Sequence, residues 1–398
     1  MSKLSLKDIF YKPISGEWGN EPADDYVEII KTNNILNFGK IDFSNTTLRE
    51  VETKKVEIKK LEYGDILVEK SGGSPANPVG RVCFFNKNEG TYLTNNFMST
   101  LRLKNSNFDS KYVFYYLFDL YRKKVVLNFQ NQTTGIINFK LDRYLDEITI
   151  SQIDLGKQKQ IAKTLDKANE LIELRKESIT KLDVLAKSIF IDMFGNPVSN
   201  PKGWEINKFE KYIDYIGDIG SNGSNAVISK NLKMSDKKDF ALMIRTTNLN
   251  KNDFYNDVKY VSEETYNFFK KSKIYGGEII MNKIGSAGKF WIMPKLNVPV
   301  SLGLNQLMIK LKDLNTKFLY YFLSTDYGQV MIASKTNGAV TKSITKGAVK
   351  DFDIAVPPID LQNKFAKIIE KIEEQKSLYE KELEKLQINF DALLQKSF

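Results

Sequence analysis

The sequence contains no histidine, a single cysteine, Cys83, and no long apolar run. These absences exclude the usual structural zinc sites, a His general base and a Cys/His nucleophilic pair. A single cysteine forms no disulfide within the chain, which fits a reducing compartment, and we expect a cytoplasmic protein. The apolar stretch at 112–118 is far too short to span a membrane, and residues 1–6 lack a secretory apolar segment. We therefore expect a soluble protein with no membrane partner.

The composition is that of an ordinary globular protein, with 42% hydrophobic and 27% charged residues. At 398 residues the chain is long enough for two or three domains, each with its own core. Lys and Arg number 59 against 49 Asp and Glu, a formal charge of +10. This excess favours a polyanionic partner without identifying one, because many lysines alternate with acids on what we interpret as solvated helix faces.

One set of short patterns occurs twice in the chain, roughly 200 residues apart. The matched pairs are 30–35 with 244–249, 64–72 with 277–285, 112–117 with 318–323, Thr134-Gly135 with Asn337-Gly338, and 153–155 with 359–361. Five matches in one order predict a duplicated module. Because the second pair consists of apolar runs that lead into glycine, we expect strands and turns beside the helices, in α+β domains.

Two stretches, 158–193 and 365–393, carry apolar side chains at alternating spacings of four and three. Only Arg175 and Lys376 interrupt these seams. The residues that we expect to pair the helices are Ile161, Leu165, Ile172, Ile179 and Leu182 in the first stretch and Phe365, Ile369, Ile372, Leu383 and Leu386 in the second. The spacing predicts two helices that pack on each other as a coiled coil. The alternative is that each helix lies on the core of its own domain.

Each seam covers about 35 residues, or roughly 50 Å of helix, which exceeds the usual helix of a globular protein. Because one helix follows each module, an antiparallel pair would hold the modules at opposite ends of a spacer. The predicted order is a domain at 1–155, a helix at 156–194, a second domain at 195–356 and a second helix at 357–398. A spacer of this length matches about fifteen base pairs of duplex, so the modules would read one DNA at two places.

The segment after the first helix reads Met-Phe-Gly-Asn-Pro at 193–197 and Asn-Pro-Lys-Gly-Trp at 200–204. Together with the duplicated module, this junction resembles the one that commonly opens the second target-recognition domain in the specificity subunits of type I restriction-modification systems. The sequences Gly-Glu-Trp-Gly at 16–19 and Val-Pro-Pro-Ile-Asp-Leu-Gln at 356–362 support the resemblance. It covers nearly the whole chain.

The resemblance implies a DNA-recognition subunit with no catalysis of its own. Each globular domain would read one half of a bipartite double-stranded target, and the helices would set the spacing between the halves and dock two methyltransferase (M) subunits. Separate restriction (R) subunits would cut unmethylated DNA. No cofactor is expected in this chain, whereas S-adenosylmethionine, ATP and Mg are expected on the partner subunits.

Residues that can contact DNA are expected on loops of both modules. Base edges are read chiefly by Arg, Lys, Asn and Gln, and small polar residues beside glycine allow the backbone to approach phosphate. The candidate DNA-binding residues are Lys31, Lys70, Gln132, Thr133, Thr134, Arg245, Lys283, Lys335, Thr336, Asn337 and Lys342. Lys70 matches Lys283 in the repeat, and Lys31 matches Arg245. The alternative for each is a solubilising charge or an ordinary surface turn.

Two other classes of function remain open from the residues alone: a self-sufficient DNA methyltransferase or nuclease, and a coiled-coil scaffold that only assembles proteins. The glycine-rich stretches at 71–74 and 285–289 lack the spacing of a P-loop. An Asp/Asn-Pro-Pro-Tyr/Phe sequence suited to a flipped base is also missing. We therefore predict a binding protein, with no catalytic residue and no metal ligand in this chain.

Overall fold

The structure is a computed structural model that describes residues 3–22, 26–74, 77–133 and 135–398, apart from the side chains of Gln132 and Thr133. It divides into two compact units, one formed by Met1–Glu177 with Glu380–Phe398 and the other by Ser178–Tyr379. Both units mix helices with small sheets, as the predicted α+β class requires. The units share the long helices between them. The predicted domain boundaries, which follow chain order, stay a prediction.

The first unit contains several small sheets. Its strands are β1 (Lys3–Ser5), β2 (Ile14–Ser15), β3 (Val27–Ile30), β4 (Thr47–Arg49), β5 (Ile66–Glu69), β6 (Ser71–Gly72), β7 (Val82–Phe84), β8 (Tyr92–Thr94), β9 (Met98–Leu101), β10 (Gln130–Thr133), β11 (Ile136–Phe139) and β12 (Thr149–Ser151). The helices that begin in it are α1 (Leu6–Ile9), α2 (Thr53–Lys59), α3 (Ser110–Arg122), α4 (Leu141–Glu147) and α5 (Leu155–Phe194). The sheets have the orders β2-β9-β5-β7, β4-β3-β8, β10-β11-β6 and β1-β12.

The second unit is built in the same way. Its strands are β13 (Glu205–Lys208), β14 (Ile213–Gly217), β15 (Ala241–Met243), β16 (Lys259–Val261), β17 (Lys273–Ile274), β18 (Ile279–Asn282), β19 (Phe290–Ile292), β20 (Val300–Ser301), β21 (Gln306–Leu311) and β22 (Asp353–Val356). Its helices are α6 (Asn225–Asn231), α7 (Thr246–Lys251), α8 (Glu263–Phe268), α9 (Thr316–Leu323), α10 (Asp326–Ser334), α11 (Lys346–Lys350) and α12 (Ile359–Ser397). Across the described ranges, no helix is long and apolar enough to cross a membrane.

The duplication seen in the sequence is repeated in the strand order. The sheet β2-β9-β5-β7 corresponds to β14-β21-β18-β19, and β4-β3-β8 corresponds to β16-β15-β20 within a four-stranded sheet. The pairs β3–β8 and β15–β20 are both parallel. Strands β5 and β18 are buried along their whole length, as their continuous apolar sequences lead one to expect. The units differ where β10 and β11 form a hairpin, because the second unit has only isolated bridges from Ser343 to Ile284 and Asn337 there.

Each unit has an aromatic helix whose first turn is fixed by the same two interactions. The side chains of Asp109 and Asn315 cap α3 and α9 by accepting hydrogen bonds from backbone N–H groups. The N–H of Asp109 donates to Gln158 Oε1 at 2.9 Å, and the N–H of Asn315 donates to Gln362 Oε1 at 2.9 Å. Both glutamines are fully buried near the beginning of a long helix. They therefore anchor α5 and α12 to the aromatic helix of the unit in which each begins.

These glutamines also correct the register of one sequence match. Gln158 Nε2 donates to the carbonyl of Ile153, and Gln362 Nε2 donates to the carbonyl of Pro357, five positions earlier in each case. Ile153 therefore corresponds to Pro357. The predicted match of 153–155 with 359–361 is wrong by two residues.

The wrong register arises because the same letters have different roles in the two copies. Asp154 precedes α5, and its carboxylate accepts a hydrogen bond from the N–H of Lys157 at 3.0 Å. Asp360 instead lies inside the first turn of α12. Because Asp154 caps one helix from outside and Asp360 lies within the other, the shared Ile-Asp-Leu sequence does not mark equivalent positions.

In the first unit, the beginning of α5 and the end of α12 share one hydrophobic core. Phe390 of α12 is buried there, with its ring centroid 6.4 Å from that of Tyr115 on α3. Phe398, the last residue, lies 5.2 Å from the ring of Tyr112. The predicted seam residues within or against this core are Ile161, Leu165, Ile172, Leu383 and Leu386. The end of α12 therefore completes the core of the first unit.

In the second unit, the end of α5 and the beginning of α12 likewise share one hydrophobic core. The ring of Phe190 lies 5.6 Å from that of Phe365 and 5.7 Å from that of Phe318 on α9. The predicted seam residues within or against this core are Phe365, Ile369 and Ile372. Ile179 and Leu182 are partly buried, and the pairing predicted for them stays a prediction.

Both basic residues that interrupt the seams pair with an acid on the other long helix. Arg175 lies 2.8 Å from Glu382 in the first unit, and Lys376 lies 2.6 Å from Asp183 in the second. Half-exposed ion pairs of this kind contribute little free energy of folding. Their physical effect is to select which helix positions face each other.

Cys83 offers a chemical probe of the first unit. Its side chain is fully buried in β7, and burial raises the pKa of its thiol. We expect the thiol reagent DTNB to leave the native protein unlabelled and to react with one thiol per chain in denaturant, because only unfolding exposes a reactive thiolate. Rapid labelling of the native protein would contradict the burial.

Phe390 tests whether the first unit depends on α12. We expect Phe390→Ala to lower the free energy of unfolding of this unit by about 3–5 kcal/mol, through lost burial and the cavity left behind. Ile388→Ala is the matched control, because Ile388 lies on the same helix but is 60% exposed. Its expected change is within about 0.5 kcal/mol. The measurement is denaturant unfolding followed by the labelling of Cys83, and equal effects of the two substitutions would refute the dependence.

Candidate nucleic-acid interface

In the first unit, Lys70 lies at the end of β5 and is bonded through its backbone to two other segments. Its N–H donates to the carbonyl of Phe97 at 2.7 Å, and its carbonyl accepts from the N–H of Phe139 at 2.7 Å. The next residues form β6, which pairs with β11 of the hairpin β10–β11. Lys70 and this hairpin form what we call the first lysine-turn cluster.

Three predicted DNA-binding residues belong to the hairpin of this cluster. The backbone of Gln132 and Thr133 lies in β10, but their side chains are outside the described part of the structure. Thr134 lies outside the described residues altogether. Lys70 is bonded to the end of β11, and β11 lies between β10 and β6 in the sheet. The roles of the three side chains stay a prediction.

In the second unit, Lys283 occupies the matching place at the end of β18. Its N–H donates to the carbonyl of Asn305 at 2.7 Å, and its carbonyl accepts from the N–H of Ile344 at 2.9 Å. The N–H of Gly285 donates to the carbonyl of Lys342 at 2.9 Å. The segment 335–343 is thus bonded directly to the chain that follows β18. Lys283 and this segment form the second lysine-turn cluster.

The segment 335–343 is a closed turn. Asn337 and Ser343 exchange two backbone hydrogen bonds of 2.8 and 2.7 Å. Gly338 in this turn has φ of 105°, and a Cβ added to it would lie 2.2 Å from the carbonyl oxygen of Thr341. Glycine is therefore required here. The predicted residues Lys335, Thr336, Asn337 and Lys342 all belong to this turn.

The two matching lysines have different electrostatic surroundings. Lys70 makes no ion pair with any residue in the described ranges, and burial of its side chain lowers the pKa of its ammonium group, with the nearby charge of Lys59 acting in the same direction. Lys283 lies 2.7 Å from Asp218. A desolvated cation without a partner gains more from a phosphate than one that is already paired.

Lys31 and Arg245 precede corresponding turns in the two units. The N–H of Lys31 donates to Asn34 Oδ1 at 2.8 Å, and the N–H of Arg245 donates to Asn248 Oδ1 at 3.2 Å. Both asparagines are buried. This bond explains why the sequence pattern Thr-x-Asn recurs at the two places.

The threonines that follow Lys31 and Arg245 are linked to the ends of β5 and β18, through Arg81 in the first unit and directly in the second. Thr246 Oγ1 donates to Asn282 Oδ1 at 2.8 Å, and Asn282 immediately precedes Lys283. In the first unit, Arg81 donates to the carbonyl of Thr32 at 3.3 Å and pairs at 2.8 Å with Glu69, which precedes Lys70. In each unit the two predicted basic positions therefore lie near each other.

Two of the predicted basic side chains already have an acidic partner. Arg245 lies 3.1 Å from Asp257, and Lys335 pairs with Asp351. Lys342, by contrast, is exposed and makes no ion pair within the described parts of the chain. These pairs neither exclude nor establish contact with DNA, and the assignment of every candidate residue stays a prediction.

The sequence did not indicate Arg81, Asp218 or Lys346. Arg81 pairs with the buried Glu69. Lys346 Nζ lies 2.7 Å from Asp218 Oδ1, whereas Lys283 contacts Oδ2. Each partner is distant in the chain. A single sequence carries no signal for such pairs.

A metal centre is not formed by the described residues, since no group of three or more His, Cys, Asp or Glu side chains among them has a suitable arrangement.

Comparison with known proteins identifies the family. The sequence model described as the type I restriction modification DNA specificity domain matches residues 3–184 and again 206–387. The chain belongs to this family. It is a DNA sequence-recognition subunit with two target-recognition domains, and the predicted resemblance to type I specificity subunits is confirmed.

Individual specificity subunits are similar over most of their length. The type I restriction enzyme MjaVIII specificity subunit of Methanocaldococcus jannaschii is 23% identical over 308 residues, covering 73% of this chain and 69% of the relative. The solved structure of an S subunit from M. genitalium aligns over 100% of this chain and 96% of its own, with 16% identity and a TM-score of 0.58. A chain from a study of complex assembly in the type I system aligns over 100% and 97%, with 13% identity and a TM-score of 0.55. At these identities, the structural similarity shows the fold alone.

Lys70 gives a direct test of the first target-recognition domain. Lys70→Met is expected to weaken DNA binding to a similar extent for all sequences and to reduce the slope of log K against log salt concentration by about 0.9, the effect of one lost phosphate contact. Lys7→Met is the control, because Lys7 belongs to the same unit but is exposed and paired with Asp146 at 2.7 Å. The measurement is a salt titration of DNA affinity. A loss confined to one base position would instead indicate base readout.

Proposed function

We propose that the chain is the non-catalytic specificity subunit of a type I restriction-modification complex, in which each target-recognition domain reads one half of a bipartite DNA target. The observation that carries this proposal is the presence of a lysine-turn cluster at the same topological position in both units. In each, the lysine that follows the central buried strand is joined through its backbone to a later segment of the chain, at Phe139 in the first unit and at Ile344 in the second. Two similar but unequal reading surfaces are suited to two different half-sites.

The long helices are proposed to form the spacer between the two readers. In the first unit the beginning of α5 packs with the end of α12, and in the second the end of α5 packs with the beginning of α12. Contacts of this order support an antiparallel coiled coil. With 40 residues in α5 and 39 in α12, each helix is about 60 Å long.

The partners are proposed from the family. They are double-stranded DNA, two methyltransferase (M) subunits on the helical spacer and restriction (R) subunits, with S-adenosylmethionine, ATP and Mg on those partners. The similar chain solved in a study of complex assembly of the type I system supports a multisubunit arrangement. This chain is proposed to supply recognition and spacing, whereas the M and R subunits supply the chemistry.

The first test is a map of methylated adenine in the source genome, obtained by single-molecule sequencing with and without this gene. We expect deletion to abolish methylation at one split, gapped motif, and re-expression of the chain to restore it. Expression with the cognate M subunits in a host that lacks the motif should create it. A purified chain that methylates or cuts DNA alone would favour an independent enzyme, and a chain that assembles the M subunits without DNA binding would favour a scaffold.

An exchange of domains tests whether the two readers are independent. Replacing the stretch before Lys157 with that of another family member is expected to change one half of the methylated motif and to leave the other half and the gap unchanged, because the second domain and both spacer helices are retained. The measurement is again the methylation map. A change in both halves would contradict independent readers.

A further inference from the structure

A buried carboxylate joins two lysines at the second lysine-turn cluster. Asp218 follows β14, and its side chain is only 8% exposed. Its two oxygens lie 2.7 Å from Lys283 Nζ and 2.7 Å from Lys346 Nζ. The hydroxyl of Ser221 donates to the same carboxylate at 2.8 Å. Both oxygens of Asp218 therefore accept hydrogen bonds, one from Lys283 and the other from Lys346 and Ser221.

The carboxylate of Asp218 stays ionised over the pH range in which proteins ordinarily fold. Burial alone would raise the pKa of Asp218, but hydrogen bonds from Lys283, Lys346 and Ser221 outweigh burial and lower it to about 2. Stability from this ionised group is present above the ordinary carboxyl pKa and is lost only as pH falls towards about 2. The cluster consequently holds one negative and two positive charges near neutral pH.

The two lysines lie on segments that meet at the turn 335–343. Lys283 follows β18, and its backbone carbonyl accepts a hydrogen bond from the N–H of Ile344, which comes just after the turn. Lys346 is the first residue of α11, two positions after Ile344. Asp218 thus ties together β14, β18 and the start of α11. Both lysine side chains remain about one-third exposed, at 35% for Lys283 and 33% for Lys346.

The first unit uses a similar arrangement at a different place. Glu17, which follows β2, pairs with Lys59 at 2.7 Å and Lys55 at 3.5 Å, and both lysines lie on α2. Lys70, the counterpart of Lys283, is not part of that group. An acid after this strand is therefore common to both units, whereas its connection to the lysine of the lysine-turn cluster is specific to the second.

We propose that Asp218 is a positioning residue for DNA recognition by the second domain. It holds the partly exposed side chains of Lys283 and Lys346 in one arrangement beside the turn 335–343, so that they meet DNA phosphates in a fixed register with the residues that read bases. A lysine side chain has four rotatable bonds, and a buried anchor removes much of that freedom before DNA binds. This inference rests on the proposed function of the chain.

The test is Asp218→Asn in the full chain, assembled with its M subunits. The probes are a duplex with the mapped methylation motif and two duplexes in which one or the other half-site is scrambled. We expect discrimination against the scrambled second half-site to fall about tenfold, because the phosphate contacts lose their fixed register with the base contacts. Discrimination at the first half-site should be unchanged. Affinity for the duplex with the scrambled second half-site should rise at low salt, because the cluster gains one positive charge.

Glu210→Gln is the matched control for charge. It makes the same change on the same unit, but Glu210 is 64% exposed and pairs with Lys350 alone. We expect it to leave discrimination at both half-sites unchanged. A purely structural role of Asp218 would reduce the active fraction, which lowers binding to all three duplexes by the same factor and would overturn the proposal.

A second variant tests the positioning role of Asp218 if Asp218→Asn does not fold. Lys346→Met keeps the pair of Asp218 with Lys283, and it is expected to reduce the salt slope by about 0.9 and to weaken discrimination at the second half-site. An unchanged slope and unchanged discrimination would overturn the proposal. A wild-type complex that fails to distinguish the motif from scrambled DNA would contradict the proposed function itself, which is a separate result.

Discussion

The structure depends on covering the aromatic faces of α3 and α9. Each face is too apolar to be left in water, and each is covered by the beginning of one long helix and the end of the other. Phe390 and Phe398 serve the first unit, while Phe190 and Phe194 serve the second. Because the same long helices complete both cores, their length and register are fixed by the packing of the domains as much as by pairing along the seam.

The two lysine-turn clusters share a backbone plan and differ in charge. In both units a lysine directly follows the central buried strand and is joined through its backbone to a later segment of the chain. Lys70 is partly buried without an acidic partner in the described ranges, whereas Lys283 is held by a buried carboxylate. Divergence after duplication has therefore kept the order of the matching strands and altered the surroundings of equivalent side chains. Such differences are what two unlike half-sites require.

Local patterns of the sequence predicted much of this fold, and long-range contacts account for what they missed. The repeat and the seam spacing indicated the duplicated domains and the stretches that became α5 and α12, since both follow from local periodicity. The register of 153–155 was wrong because identical letters serve as a cap in one copy and lie inside the helix in the other. The pairing of Asp218 with Lys346 spans more than a hundred positions and leaves no trace in a single sequence. The DNA contacts of the candidate lysines stay a prediction, and the acidic partner of Lys283 was not foreseen.

The division of the first unit into two distant pieces of chain has a consequence for its synthesis. Residues 380–398 are synthesised after the whole of the second unit, yet they supply part of the core around Tyr112 and Tyr115. The core of the first unit therefore stays incomplete, with part of its apolar surface uncovered, while about two hundred further residues are made. During that interval the nascent chain is exposed to chaperones and proteases, and a second nascent copy can offer the missing helix in place of its own.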